Sequence, residues 1–310
     1  MMSHQPPLIS VIIPAHNAAG EIGEQLDALR AQEDAPRFEV LVCDNNSTDG
    51  TAEVARSQAS GLDLRIVDAA GPGSASFARN RGADAARGDY LLFCDADDLV
   101  DPRWVAELSA PLTRGARVLT AGALHHERFN NSKALAAYGI GEDPEPTFGV
   151  VERATRPYAG FLPTVPGGNF GIGRALYLSL GGMDHSFPGG AEETDFAWRA
   201  QREGAEVITC DGAVVHYRLK SAPRALFRQQ RIQNCARVML WTRYREHGMT
   251  GPSARYSIEE ILRTLPGALR RRSRAERLLS ARLLGGNVGA LEGILKFRLL
   301  RRVPSAQLVG

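Results

Sequence analysis

Three aspartates crowd into four positions, Asp95-Ala96-Asp97-Asp98, and Asp101 follows close behind. The apolar run YLLFC precedes them, so a strand leaving a sheet would carry the acids at its end. Like charges at this density need a counter-charge. Hard carboxylate oxygens suit a divalent cation, Mg2+ or Mn2+, bound together with substrate phosphates. The plainer reading is a solvated loop in which Asp98 or Asp101 caps the next helix. Two other polar clusters bear on the choice, Pro14 to Asn17 and the DNNSTDG run opened by Asp44. Asp44 and Asn46 suit hydrogen bonding to a nucleobase edge or a ribose, and the backbone of Pro14 to His16 suits the wall of the same slot. As a plain turn residue, Asp44 would need no ligand. The chain has neither GxGxxG after its first strand nor GxxxxGK[ST]. Phosphates must then be neutralised another way, for which a metal on the acidic run together with Arg79 would serve. Further on, Glu192, Glu193 and Asp195 open a helix, where the helix dipole favours negative charge.

The elements that would position these groups alternate. Residues 8–14, 38–43, 64–68 and 90–94 read as strands, and 21–32, 51–58 and 74–87 as helices between them; Ile22, Leu26 and Leu29 mark one apolar helix face. Such alternation predicts a mostly parallel sheet flanked by helices, with ligands beyond the carboxyl ends of its strands. The three polar clusters all fall at those ends. A helix over 104–112 and a strand over 117–122 come next, then a Gly- and Pro-rich stretch, 125–166, expected as a variable loop region that selects the acceptor. The spacing then predicts a strand over 169–173, a helix ending near Gly181, a helix from Ala191, and two short strands, 205–209 and 213–217, on either side of Asp211 and Gly212. Phe196 and Trp198 read as core, His125 and His126 as loop residues without a metal role. Gly167 and Gly168 allow close backbone approach.

The chain has 310 residues, 44% hydrophobic and 23% charged, which excludes disorder over most of it. Its net charge of +2 hides a division: residues 1–217 carry −13 and residues 218–310 carry +15. The four cysteines lie far apart with no CxxC, as expected of free thiols in a reducing cytoplasm. No secretory leader pattern and no apolar run of about 18 residues occurs, so a soluble or peripheral protein is expected.

The runs SVIIPAHNAA, VLVCDNNSTDGT, ARNRGADAARGDYLLFCDADD, GGNFGIGR and GGMDHSFPGGAEETDFAWRAQREG occur in this order. Together they resemble the family 2 glycosyltransferases over residues 8–217. The resemblance implies a GT-A fold, Rossmann-like, and transfer of a sugar from a nucleoside diphosphate donor (UDP-, GDP- or dTDP-sugar) with inversion. It makes Asp95-Ala96-Asp97 the DxD motif, with Asp97 on the metal and Asp95 on the ribose or sugar. Asp44 would hold the base beside Pro14, Ala15 and Asn17, Arg79 would lie near base and phosphates, and His216 would be a further metal ligand. The family's acidic pair corresponds to Glu192-Glu193, with Glu where Asp is commoner; Glu193 is favoured as general base, ahead of Glu192 and Asp195. The implied acceptor is a glycan, lipid-linked or protein hydroxyl, in bacterial polysaccharide or cell-envelope synthesis. A nucleotidyltransferase acting on sugar phosphates and a non-catalytic sugar-nucleotide-binding protein are the alternatives.

Residues 218–310 interleave arginines with apolar residues and read as amphipathic helices. They would either lie on the inner face of an anionic membrane or pack on the catalytic domain and neutralise its acids, or form an oligomer interface. No nucleic-acid-binding motif accompanies the charge.

Overall fold

The computed structural model describes residues 8–140, 157–270 and 273–309. Its first half alternates as expected: β1 (Ile9–Ala15), α1 (Ile22–Arg30), β2 (Phe38–Asp44), α2 (Thr51–Ser57), β3 (Leu64–Asp68), α3 (Ala75–Ala85) and β4 (Tyr90–Cys94). These strands lie side by side in the order β3-β2-β1-β4, all parallel. β1 is apolar apart from Ser10 because both its faces are covered: Val11 and Ile13 enter one core cluster, Ile12 the cluster on the other side of the sheet. Ala15 stands opposite Asp44 in register, so the first two polar clusters leave the sheet together.

The second half turns the sheet mixed. β5 (Leu99–Val100), α4 (Trp104–Ser109), β6 (Val118–His125), α5 (Ser132–Tyr138), β7 (Asn169–Gly173), α6 (Arg174–Ser179), α7 (Glu192–Arg202) and β8 (Glu206–His216) follow. The complete order is β3-β2-β1-β4-β7-β6-β8-β5; β7 runs antiparallel to both β4 and β6, while β8 is parallel to β6. Three details differ from expectation. The helix expected over 104–112 stops at Ser109 and tightens into a 3-10 turn, Ala110–Arg114, that contains Pro111. α5 rises inside the stretch expected to be irregular, capped by Asn131, whose side chain accepts from the Ala134 amide. The two short strands expected around Asp211 and Gly212 form one strand, β8, bulged where its pairing with β6 slips between Gly122 and Ala123. The GEDPEP turn lies outside the described residues.

Beyond β8 the chain forms α8 (Pro223–Tyr244), α9 (Ala254–Ala268) and α10 (Arg274–Gly293), ending in a π-helical turn, Ile294–Leu299. α10 packs against α8 along Gly285, Gly289 and Gly293, one glycine per turn. A Cβ on Gly289 would lie 2.1 Å from the Arg231 carbonyl oxygen, and one on Gly285 2.5 Å from that of Phe227. Only hydrogen fits in that seam, and the two backbones touch because of it. α8 joins the α/β part through a shared core in which Trp198 and Phe187 pack with Val238, Met239 and Tyr244. Among the described residues, no helix is long and apolar enough to cross a membrane.

Candidate active site

A cavity of about 1100 Å³ opens beyond the carboxyl ends of β1 and β4. Asp95 and Asp97 reach it from the loop after β4. Gln25, fully buried on α1, braces that loop: its amide donates to the Asp95 carbonyl at 3.2 Å and accepts from the Val100 amide at 3.0 Å. Arg79, buried on α3, places a guanidinium nitrogen 2.7 Å from Asp95 Oδ1. Burial opposes its charge, but Asp95, Glu192 and Glu193 outweigh that effect and hold its pKa above the ordinary value. Arg79 is thus the point where the acids after β4 and those opening α7 meet.

Glycines permit the close quarters. A Cβ on Gly168 would sit 2.4 Å from Asp95 Oδ2, and one on Gly167 would touch both Glu193 and Arg79, at 3.6 and 3.7 Å. Asn169 anchors this glycine loop to the sheet. Its amide nitrogen donates to the carbonyls of Ala123 and Ala213, and its oxygen accepts from Trp104 Nε1 at 2.7 Å.

The three aspartates after β4 have different surroundings. Asp98 is buried; its Oδ1 accepts from the Arg218 amide at 2.9 Å, whereas Oδ2 has no hydrogen-bond partner. Burial first, then the charges of Asp95 and Asp97, push its pKa well above the usual carboxylate range. Asp97 is more open, with Lys220 Nζ 3.1 Å from its Oδ2. Negative charge in excess of its partners, on hard oxygen ligands, fits a divalent cation. Among the described residues no three His, Cys, Asp or Glu side chains form a closed metal cage.

His216, expected as a further ligand, is not among the cavity-lining residues. It ends β8 with Nε2 3.6 Å from Asp101 Oδ2, and burial, then Arg128, lowers its pKa. The adjacent Tyr217 lines the cavity instead, as alternation along an extended chain dictates.

Pro14, Ala15 and Asn17 line the cavity, as do Asp95, Ala96 and Asp97. Asp44 and Asn46 are not among the lining residues. Asp44 Oδ1 accepts from the Ser47 amide at 3.2 Å, and Asn46 exchanges two hydrogen bonds with the backbone of Gly71. The lining position between them is Asn45, whose side chain bonds to Ala69, Pro72 and Ser74. Glu192 and Glu193 line the same cavity from α7, and Glu192 Oε2 accepts from the Gly190 amide at 2.5 Å. Asp195 faces elsewhere: Arg199, Tyr244 and Arg243 engage it at 2.8, 3.0 and 3.4 Å, so it ties α7 to α8.

Sequence reasoning missed the wall supplied by residues beyond 217. Lys220, Gln230, Gln233, Asn234 and Arg237 all line the cavity. Within RALFRQQRIQNCARVML the polar positions 230, 233, 234 and 237 recur at helical spacing. That signal marked a polar helix face without saying what it faced.

The sequence model described as "Glycosyl transferase family 2" matches residues 10–175. The amylovoran biosynthesis glycosyltransferase AmsB of Erwinia amylovora is 44% identical over 92 residues, 29% of this chain and 30% of AmsB. The glycosyltransferase AglE of Haloferax volcanii is 37% identical over 139 residues, 44% of this chain and 46% of AglE. The chain thus covers under half the length of these curated relatives. Among solved structures, the mannosyltransferase PcManGT of Pyrobaculum calidifontis, in complex with GDP-Man and Mn2+, is similar at 21% identity. Its TM-score is 0.62 over 96% of this chain and 89% of that one. The α/β architecture is accordingly of the GT-A type expected from the resemblance. With more than half of its length matched, from β1 to the start of α6, the chain belongs to glycosyl transferase family 2.

Proposed function

We propose that this protein transfers a sugar, with inversion, from a nucleoside diphosphate donor to a hydroxyl of a glycan or lipid-linked acceptor in polysaccharide synthesis. The observation that carries the reading is the convergence on Arg79 of the donor-side acid Asp95 and the acids Glu192 and Glu193 in one cavity. Support for the donor class comes from the shared fold of PcManGT, itself a complex with GDP-Man and Mn2+.

Asp97 would hold the divalent cation, with Asp95 at the ribose or sugar; when bound, the cation supplies Lewis-acid stabilisation of the departing diphosphate. Arg79 offsets phosphate charge from the α3 side. Gly167 and Gly168 bring the backbone against the sugar. Glu193 takes the proton of the acceptor hydroxyl as its oxygen attacks the anomeric carbon, and the bond from that carbon to the diphosphate oxygen breaks. The amides of Gln230, Gln233 and Asn234, with Arg237, present a hydrogen-bonding wall that suits a hydroxyl-rich acceptor.

Glu193→Gln should retain donor binding and lose about 10²- to 10⁴-fold in kcat, the usual worth of a general base. Asp97→Ala should lose cation-dependent donor binding. Full transfer activity in both variants would overturn the mechanism, and release of pyrophosphate instead of a nucleoside diphosphate would identify a nucleotidyltransferase.

A further inference from the structure

α9 is built inside out. At i, i+4, i+7 and i+11, Ile258, Leu262, Leu265 and Leu269 form one stripe, exposed by 49%, 65%, 42% and 80%. The buried positions of the same helix are Ser257 and Glu260. α9 packs on α10, so its small and polar side meets protein and its aliphatic side is left outward. A stripe of this kind gains nothing in water and needs an apolar layer to cover it.

The charges beside it say which layer. Arg255 and Arg263 are exposed on α9, paired with Glu259 and Glu260 of the same helix, and Arg270 is exposed just past its end, where the positive excess of this stretch begins. Residues 254–277 hold seven arginines against three glutamates, a net of +4. An anionic lipid surface complements both features, with headgroups for the arginines and acyl chains for the leucines. The helix is 15 residues long, and no described helix can span a bilayer, so the contact is one of lying in the interface. We propose that α9 is a membrane-docking helix that seats the protein on anionic lipid through Ile258, Leu262, Leu265 and Leu269.

Docking is tested by sedimentation of the full chain with phosphatidylcholine vesicles, with and without phosphatidylglycerol. Binding should require the anionic lipid and weaken in high salt. The Leu262→Ser/Leu269→Ser double variant should bind about tenfold or more weakly, with its melting temperature unchanged because both side chains face outward. Amide exchange over 254–269 in the unaltered chain should slow when anionic vesicles are added, a readout that needs no variant to fold. Failure of the chain to bind anionic vesicles, undiminished binding by the double variant, or unchanged exchange would each overturn the proposal. So would a dimer that the double variant dissociates while vesicle binding is absent, which would assign the stripe to self-association.

Discussion

A methyl group is the smallest probe of the site, and Gly168 is where it would count. Its Cβ would fall 2.4 Å from Asp95 Oδ2, so Gly168→Ala must displace either the loop or the carboxylate that pairs with Arg79. Displacements of about 1 Å in a reacting constellation cost on the order of 10²-fold in rate. Gly168→Ala should therefore lower kcat/KM by about that factor, measured as donor turnover, while far-ultraviolet circular dichroism stays native. At this scale the sequence was legible where acids cluster locally, as at Asp95, Asp97, Glu192 and Glu193. It was silent where a partner comes from afar: Lys220 lies 123 positions from Asp97, and Arg218 lies 120 from Asp98. The three acids opening α7 look alike in sequence, and only tertiary contacts separate Asp195, bound by Tyr244 and two arginines, from the two that line the cavity.

Between elements, a few buried charges and the glycine seam set the joints. Glu39 on β2 is fully buried beneath Ser10, Arg65 and Arg87, and Asp184 is held by Arg243 and the backbone of Ser186 and Gln307. Burial would raise both carboxyl pKa values, but these hydrogen bonds outweigh it and hold them below the ordinary range. A depressed folded-state pKa contributes stability that is present above the unfolded value and lost as pH falls through the folded one. Thermal melts should thus drop progressively below the ordinary carboxylate pKa, and Glu39→Gln should flatten part of that drop. The same variant should cost about 3 kcal/mol at neutral pH, because Arg65 and Arg87 lose their buried partner. At the other joint, Gly289→Val should force α10 off α8 and cost at least about 1–3 kcal/mol, read as a lower denaturation midpoint. The alternating strands and helices before residue 100 were readable because each apolar run has one period and one length. The seam was not, since glycines in a basic helix read as breakers until the facing backbone is known. The bulge in β8 hid in the same way, presenting as two strands because Asp211 and Gly212 interrupt the apolar pattern.

For the molecule as a whole, the opposed charges of the two parts resolve into separate tasks. Before and along α8, three of the basic residues pair with acids of the α/β part: Lys220 with Asp97, Arg218 with Glu24, and Arg243 with Asp184 and Asp195. Beyond α8, Arg255 and Arg263 of α9 are exposed beside an aliphatic stripe and pair with Glu259 and Glu260 of the same helix. Composition fixed the imbalance, but dividing it between packing and docking required knowing which helix each arginine sits on. A ligand that binds only the folded state raises apparent stability by RT ln(1 + [L]/Kd). A nucleotide sugar should therefore raise the melting temperature more with Mn2+ than without, and Asp97→Ala should abolish the difference. The wall that α8 lends to the cavity also orders events during synthesis. Residues 8–217 leave the ribosome first and can pair their strands, yet Trp198 and Asp195 then lack Tyr244, and the cavity lacks Gln233 and Arg237. α8 in turn lacks its α10 neighbour until Gly285, Gly289 and Gly293 emerge. A chain that has grown only through residue 217 thus carries an open, half-walled site, and the cavity gains its remaining wall only once α8 and the helix packed on it have been made.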